Sequence, residues 1–352
     1  MILLKSLFSL FILPTFDVEF EKMKKIIFIG LLFIMFSCQK EAKEYPQPIE
    51  IPTPIDNTFS TIYNTSNSGL LSNMINDIDA STTIIRIATD LGYTTFDGTN
   101  WNTLTTTNSN LPSDKINCVL QQDSITWIGT DNGLVRYNGM NMIVYKNSNS
   151  LLPINKIRSL AVDNLGKLWI GTFSGGGVCV FDGTNWSVFT PGNSSLPSNS
   201  VADIEKDNNG EIWVATSAGF AKFDGANFIV YNSVNSPLPN NFVYNLTFDS
   251  NHTLWIGSNG GVTKFDGVNW ETFSSLNSGL PIDLVRTVAV LPSSNLVVGT
   301  EGQGIAEFNS INSNWTIFST SNSNISSNYI KKIVVDVNQK QWIATNNGID
   351  MK

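Results

Sequence analysis

The sequence predicts an all-β protein, a seven-bladed β-propeller with four-stranded blades whose last blade is closed by an N-terminal strand. Three observations predict it. First, "LWIGT" at 168–172 has relatives ending at Thr89, Thr130, Thr216, Ser258, Thr300 and Thr345, at intervals of 41, 42, 44, 42, 42 and 45 residues. Second, "FDGTNW" stands at 96–101 and again at 181–186, with the variants "FDGANF" at 223–228 and "FDGVNW" at 265–270. A phrase repeated at a fixed interval is architecture, because a catalytic motif is needed once. Third, charged residues are only 14% of the 352, against roughly 25% in ordinary globular domains. Asn, Ser, Thr and Gly fill the gap, a composition of strands and turns.

Each unit reads as four strands, A to D in chain order. Strand A holds apolar pairs three apart: Ile157/Leu160, Val201/Ile204, Val243/Leu246 and Val285/Val288. A turn such as "DNNGE" at 207–211 supplies the Asp, Asn and Gly that a tight reversal needs. Strand B is the LWIGT stretch, and a Gly-bearing turn leads to strand C. Strand C ends in FDG, whose turn starts strand D ("WSVFT", "WETFS"). "NSxLP" then leads to the next strand A, with proline at a strand entrance because it cannot donate to a ladder. All nine tryptophans occupy two slots. Trp127, Trp169, Trp213, Trp255 and Trp342 lie in strand B, and Trp101, Trp186, Trp270 and Trp315 open strand D. An aromatic in every blade fills the space between blades; a sugar-stacking platform would need these rings exposed. The last unit stops at 348–352 after strand C, and residues 59–70 align with the strand D segment 101–111, so the N-terminal strand is expected to complete the ring and remove a sheet edge.

Ahead of the expected propeller (58–352), residues 1–38 read as a targeting segment and 39–57, with four prolines, as an extended linker. Met23-Lys24-Lys25 is a basic start, 26–36 an apolar run, and Ser37-Cys38 resembles the lipobox of bacterial lipoproteins, although Phe36 departs from that pattern. The resemblance implies lipidation of Cys38 and membrane attachment by that anchor only. Cleavage near Ser37 with a free Cys38, or an uncleaved anchor, is the alternative. A second apolar run at 2–14 leaves Met23 as an alternative start.

The unit "LPxxxVxxIxxDxxGxLWIGTxxGLxxFDGxxWxxF" resembles the two-component-regulator propeller repeat over about residues 58–352. In that family the repeats form periplasmic sensor domains of hybrid histidine kinases, many of which recognise polysaccharide breakdown products, and they also occur in secreted and lipid-anchored proteins. The resemblance implies a recognition module at the bacterial cell envelope. A kinase domain and the immunoglobulin-like segment of the sensor pattern are not found in this sequence.

Few residues suit catalysis. A net charge of −8 argues against nucleic acid as partner. His252, the single histidine, falls in an A–B turn, so no Ser-His-Asp triad and no His-rich zinc site can be assembled. Cys118 (strand A) and Cys179 (strand C of the next repeat) read as separate buried thiols. The turns at Asp163 and Asp207 lack the further carboxylates a calcium site needs, and "SGGGV" at 174–178 lacks the Lys-Ser/Thr of a phosphate loop. No metal or cofactor is expected. Asp77, Asp114, Asp203 and Asp283 lie in or just before strand A, near the expected channel, and keep a polysaccharide-degrading enzyme as the alternative; a purely structural protein-interaction scaffold is another.

The functional hint is what departs from the repeat. In a propeller the D–A loops and B–C turns share one face. Two units enlarge the B–C turn, at 173–177 and 301–304. Around the strand A entrances of that face the variable positions include Lys115, Lys156, Arg158, Phe242, Tyr244, Arg286, Tyr329 and Lys331. Bases among aromatics suit an anionic or hydroxyl-rich ligand, a carbohydrate or a protein partner.

Overall fold

The computed structural model describes residues 59–173 and 175–352. The expected targeting segment, Cys38 and the linker lie outside the described residues. Twenty-eight strands form seven antiparallel sheets of four. The innermost strands are Ile75–Asp79, Ile116–Gln122, Ile157–Val162, Val201–Lys206, Val243–Phe248, Val285–Val290 and Ile330–Val335, and these define blades 1 to 7. Each inner strand pairs with the LWIGT-type strand, such as Leu168–Thr172, and this with the third and outer strands, such as Val178–Phe181 and Trp186–Phe189.

Every inner strand carries a β-bulge at its second residue. In blade 3 Ile157 opposes Thr172 and Ser159 opposes Gly171, leaving Arg158 without an opposite number. The same shift isolates Asn76, Asn117, Ala202, Tyr244, Arg286 and Lys331 in the other blades. An extra residue offsets the two-residue alternation of a strand. That is why the apolar pairs of strand A are three apart: Ile157 and Leu160 both bury, with two polar residues between them.

Between blades the core is aromatic. Trp169 of blade 3 is 3% exposed and meets Phe223 of blade 4 with ring centroids 4.9 Å apart. Its indole N–H donates to Asp163 Oδ2 at 3.0 Å, and Trp213, Trp255 and Trp342 donate in the same way to Asp207, Asp249 and Asp336. The A–B turn aspartates are therefore consumed in the fold: Asp163 Oδ1 also accepts from the backbone N–H of Leu165 and Lys167. The five strand B tryptophans are buried, and the four that open strand D are half-buried against the same clusters. The FDG turns repeat their own chemistry. Asp97 Oδ1 accepts from the N–H of Thr99 and Asn100, and Gly98 sits at φ 98° with nothing near its Cβ direction. These bonds hold the carboxyls of Asp97, Asp182, Asp224 and Asp266 below the usual range, Asp266 at about 2.

In the seventh sheet Thr61–Tyr63 lies antiparallel to Gly348–Met351, with Thr61 opposite Met351 and Tyr63 opposite Ile349. Tyr63 stacks on Trp342 (centroids 6.1 Å, 13° between planes), and Gly348 N–H donates to Asn73 O of blade 1 at 2.9 Å. Asn324 brackets Phe59 by bonds to its N–H and carbonyl.

Two predictions follow from this packing. Trp169→Ala removes a buried aromatic and the donor to Asp163 Oδ2, so it is expected to lower stability by about 3–5 kcal/mol in denaturant titration. Deleting residues 59–65 removes the outer strand of blade 7 and bares the edge of Gly348–Met351. Aggregation or a large fall in Tm is expected by light scattering and calorimetry; a truncated ring that melts like the parent would refute closure by this strand.

Candidate functional site

The bulges determine what faces the central channel. In every blade but the sixth, where only Arg286 does so, a bulged residue and the one after it turn toward the axis together and offer two successive side chains to a cavity of about 570 Å³. The bulged residues make an upper ring: Asn76, Asn117, Arg158, Ala202, Tyr244, Arg286 and Lys331. Asp77, Cys118, Ser159, Asp203, Asn245 and Lys332 line the layer beneath. Asp79, Leu120, Glu205 and Val334 line a third, two residues further along their strands.

The middle layer is partly architecture. The inner strand has no neighbour on the channel side, and its free N–H groups need acceptors. Asp77 Oδ2 accepts from Val119 N–H of the next blade at 3.0 Å, Ser159 Oγ from Ile204 N–H at 2.9 Å, Asp203 Oδ2 from Leu246 N–H at 3.1 Å and Asn245 Oδ1 from Val288 N–H at 2.8 Å. Thr287 Oγ1 takes the same role toward Ile333 at 3.4 Å. Blade 7 breaks the pattern, because the ammonium of Lys332 accepts nothing.

Lys332 brings a cation among carboxylates. Burial pulls its pKa down, but Asp203, Asp77 and Glu205 more than reverse this and raise it. Burial pushes Asp77 up to about 6, against the opposing pull of Lys332. Burial, then the neighbouring Asp203, pushes Glu205 up to about 8. Among the described residues neither Lys332 nor Glu205 has an ion pair within 4.0 Å, and neither side chain makes a hydrogen bond. Cys118 and Cys179 are both free and buried; burial raises their pKa values, that of Cys179 to about 12, which makes poor nucleophiles of them.

The upper ring is cationic. Arg286 stacks on Tyr244, its guanidinium carbon 4.5 Å from the ring centroid, and pairs with Glu301 of the enlarged turn at 2.9 Å. Lys331 Nζ donates to Asn76 Oδ1 at 3.0 Å. Its pKa is lowered by burial first and then by Arg158, Lys115 and Arg286, with Asp90 opposing. Arg158 is exposed toward the mouth.

Of the eight residues expected from sequence, Arg158, Tyr244, Arg286 and Lys331 line the cavity. Lys115, Lys156, Phe242 and Tyr329 each immediately precede an inner strand and stand exposed on the surrounding rim. There Lys156 lies over the Phe173 ring at 4.8 Å, Phe242 sits 5.5 Å from Tyr244, and Tyr329 bridges to Glu301. Of the four carboxylates expected near the channel, Asp77 and Asp203 are there. Asp114 and Asp283 are not: they brace the D–A loops by accepting from Thr106 N–H and Ser275 N–H, each at 2.6 Å. His252 is exposed in its turn at φ 65°. Sequence reasoning missed Glu205 and Lys332. Strict strand alternation would turn Lys332 away from Lys331; the three-residue spacing of the apolar pairs was the available signal.

This geometry defines a propeller with a ligand-sized axial cavity. The two component regulator propeller family matches residues 151–174, 195–218 and 237–260, each running through a D–A loop and the first two strands of a blade. These are two component regulator propeller repeats. No curated protein matches the chain. Among solved structures, the extracellular domain of a hybrid two component system from B. thetaiotaomicron aligns at 21% identity and TM-score 0.68, covering 80% of this chain and 40% of its own. PorZ, a bacterial surface component of the type-IX secretion system of Porphyromonas gingivalis, aligns at 17% and 0.66, covering 82% and 48%. Virginiamycin B lyase from Staphylococcus aureus aligns at 13% and 0.66, covering 83% and 97%. The chain thus spans about two-fifths of the first of these and about half of the second. At these identities the likeness is one of fold.

The raised carboxyls fix the sign of a pH effect. Asp77 and Glu205 bind protons more tightly folded than unfolded, so their contribution to stability is greatest at low pH and declines as pH rises from the unfolded values toward about 6 and about 8. Tm is expected to fall between about pH 5 and about pH 8.5. Glu205→Gln, which cannot ionise, is expected to flatten the upper part of that fall. A melting series at constant ionic strength checks it, and a Tm that climbs over this range in the parent would contradict the assignment.

Proposed function

We propose that this chain is a non-catalytic recognition module of the bacterial cell envelope, exported and lipid-anchored through Cys38, that takes an anionic, hydroxyl-rich ligand such as an acidic oligosaccharide at the channel mouth. One observation carries the reading: the bulges gather Arg158, Arg286 and Lys331 around one opening in a protein of net charge −8. Their mutual repulsion, felt at Lys331, is relieved by an anion. Arg286 is held by Tyr244 and Glu301 and needs little further ordering to bind. Tyr244 and the rim aromatic Phe242 offer faces for sugar rings. The fold likeness to an extracellular sensor-type domain and to a bacterial surface component supports placement outside the cytoplasm.

A second reading, a polysaccharide-degrading enzyme, is favoured by the high carboxyl pKa values of Asp77 and Glu205 in one cavity. Against it, Asp77 and Asp203 are engaged by backbone N–H groups in the role that Ser159, Asn245 and Thr287 fill in other blades. The virginiamycin B lyase is inactivated by replacing one histidine. The single histidine here, His252, is exposed in an A–B turn, away from the cavity-lining residues.

Replacing Arg158, Arg286 and Lys331 together with Ser is expected to weaken binding of an acidic oligosaccharide at least tenfold, about 1.4 kcal/mol. The triple variant also loses the Arg286–Glu301 pair, the Arg286–Tyr244 stack and the Lys331–Asn76 bond, so a cooperative melt above the assay temperature is measured alongside to show that the ring is folded. Calorimetric titration of parent and triple variant against the same ligand is the test. Equal affinities would sink the reading, and a product released from the ligand would favour the enzyme.

A further inference from the structure

Below the mouth the cavity changes sign. Asp77, Asp79, Asp203 and Glu205 line it around a single cation, Lys332, while Arg158 and Lys331 stand one layer above. We propose that the cavity recognises a zwitterion, an anionic group held at the mouth by Arg158 and Lys331 and a protonated amine held deeper by Glu205 and Asp203. The proposal rests on the mouth reading and adds a second contact that determines which anions are selected.

Geometry carries it. Ala202 of the upper ring and Glu205 are three residues apart on one strand, about 10 Å at the usual rise. Arg, Lys and Glu side chains each extend several ångströms from the backbone, so a ligand shorter than this backbone span can bridge the two charge layers. A cavity of about 570 Å³ accommodates a molecule of that length. Asp203 is 9% exposed, with Oδ2 held by Asn245 and Leu246 and Oδ1 by Ser159, so it cannot turn away from the channel. Glu205 has none of these restraints. It lines the cavity without a hydrogen-bond partner, a carboxyl available to an incoming donor. Lys332 is one cation among the four acidic side chains Asp77, Asp79, Asp203 and Glu205, so the deep layers carry an excess of acid that an ammonium group offsets. A metal is not the natural occupant: among the described residues no group of three or more His, Cys, Asp or Glu side chains is disposed to hold one.

The groups around Glu205 give the interaction a pH signature. Asp203 raises its pKa, Lys332 and Lys206 lower it, and burial exceeds all three, leaving it at about 8. An amine that pairs with the carboxylate must displace its proton, so the amine's contribution to affinity grows as pH rises toward about 8.

Three probes of matched chain length separate the contacts: 6-aminohexanoate, whose charges lie roughly 7 Å apart when extended, hexanoate, and hexylamine. At about pH 8.5 the full chain is expected to bind 6-aminohexanoate at least tenfold more tightly than hexanoate, and hexylamine more weakly than the zwitterion. That ratio should fall between about pH 8.5 and about pH 6. Glu205→Gln should bring the ratio close to one and leave hexanoate affinity within about twofold of the parent. A parent that binds both acids equally, a ratio unchanged in E205Q, or hexylamine binding as tightly as the zwitterion would each overturn the two-point site. Failure of both acids to bind the parent, with the oligosaccharide titration also negative, would instead overturn the mouth reading on which it rests.

Discussion

The structure depends on one irregularity repeated seven times, the extra residue in each innermost strand. A propeller's inner strand is an edge, and its unpaired N–H groups face the axis. Without the bulge, alternation would give the channel one side chain in two. With it, the bulged side chain lines the mouth, and in blades 1, 3, 4, 5 and 6 the next one caps the neighbouring blade's backbone. A single device thus ties blade to blade and builds a ligand-facing ring. The blades clasp again further out, where Gly133, Gly219 and Gly261 donate their N–H groups to Asn155, Asn241 and Asp283 of the next blade. At Gly261 (φ 95°) a Cβ would strike Phe273 O, so this close approach requires glycine.

Much of the polar composition is absorbed in this scaffolding. The turn aspartates hold tryptophan N–H groups, the FDG aspartates hold their own turns, and Asp114 and Asp283 brace loops. At the last of these positions Asn155, Asn241 and Asn328 stand in other blades and accept the same bond. Interchangeable Asp and Asn mark an acceptor that needs no charge, which is why an aspartate near strand A is a poor guide to chemistry. What carries information is the departure: Lys332 where other blades have an acceptor or a small residue, and Glu205, which caps no N–H group where Asp79 at the same position of blade 1 accepts from Gln121 and other blades have Leu120, Thr247 or Val334.

The blade plan was legible because it is written seven times over. The LWIGT interval gave the ring, the FDG turn gave the outer hairpin, and the two tryptophan slots gave the packing between blades. The mouth was half legible. Arg158, Tyr244, Arg286 and Lys331 were visible as variable residues at strand entrances, but Lys115, Lys156, Phe242 and Tyr329 looked equivalent from sequence and stand one step outside the cavity. The difference is the bulge, a shift of one residue that hydrophobic periodicity records only as a spacing of three instead of two. Lys332 and Glu205 were illegible for the same reason, compounded by distance: blade 7 and blade 4 are far apart in the chain, and the charge they share exists only after the ring closes.

That shared charge is held against stability. A carboxyl whose pKa rises to about 8 on folding opposes the folded state at neutral pH, and an apolar residue such as Leu120 or Val334 fills the same layer elsewhere without that penalty. The backbone does not need Glu205, which caps no N–H group, nor Lys332, which cannot. Asp203 differs, because its carboxylate is part of the inter-blade girdle, and its charge comes with that role. The interior therefore combines three acids the fold uses, Asp77, Asp79 and Asp203, each accepting a backbone N–H of the next blade, with two ionisable groups the fold would do without. Groups of the second kind are candidates for engagement by something outside the fold. Here they lie directly beneath three cations at the only end of the cavity where the repeat has been lengthened on two blades, so the electrostatic gradient along the channel points from solvent at the mouth toward Glu205.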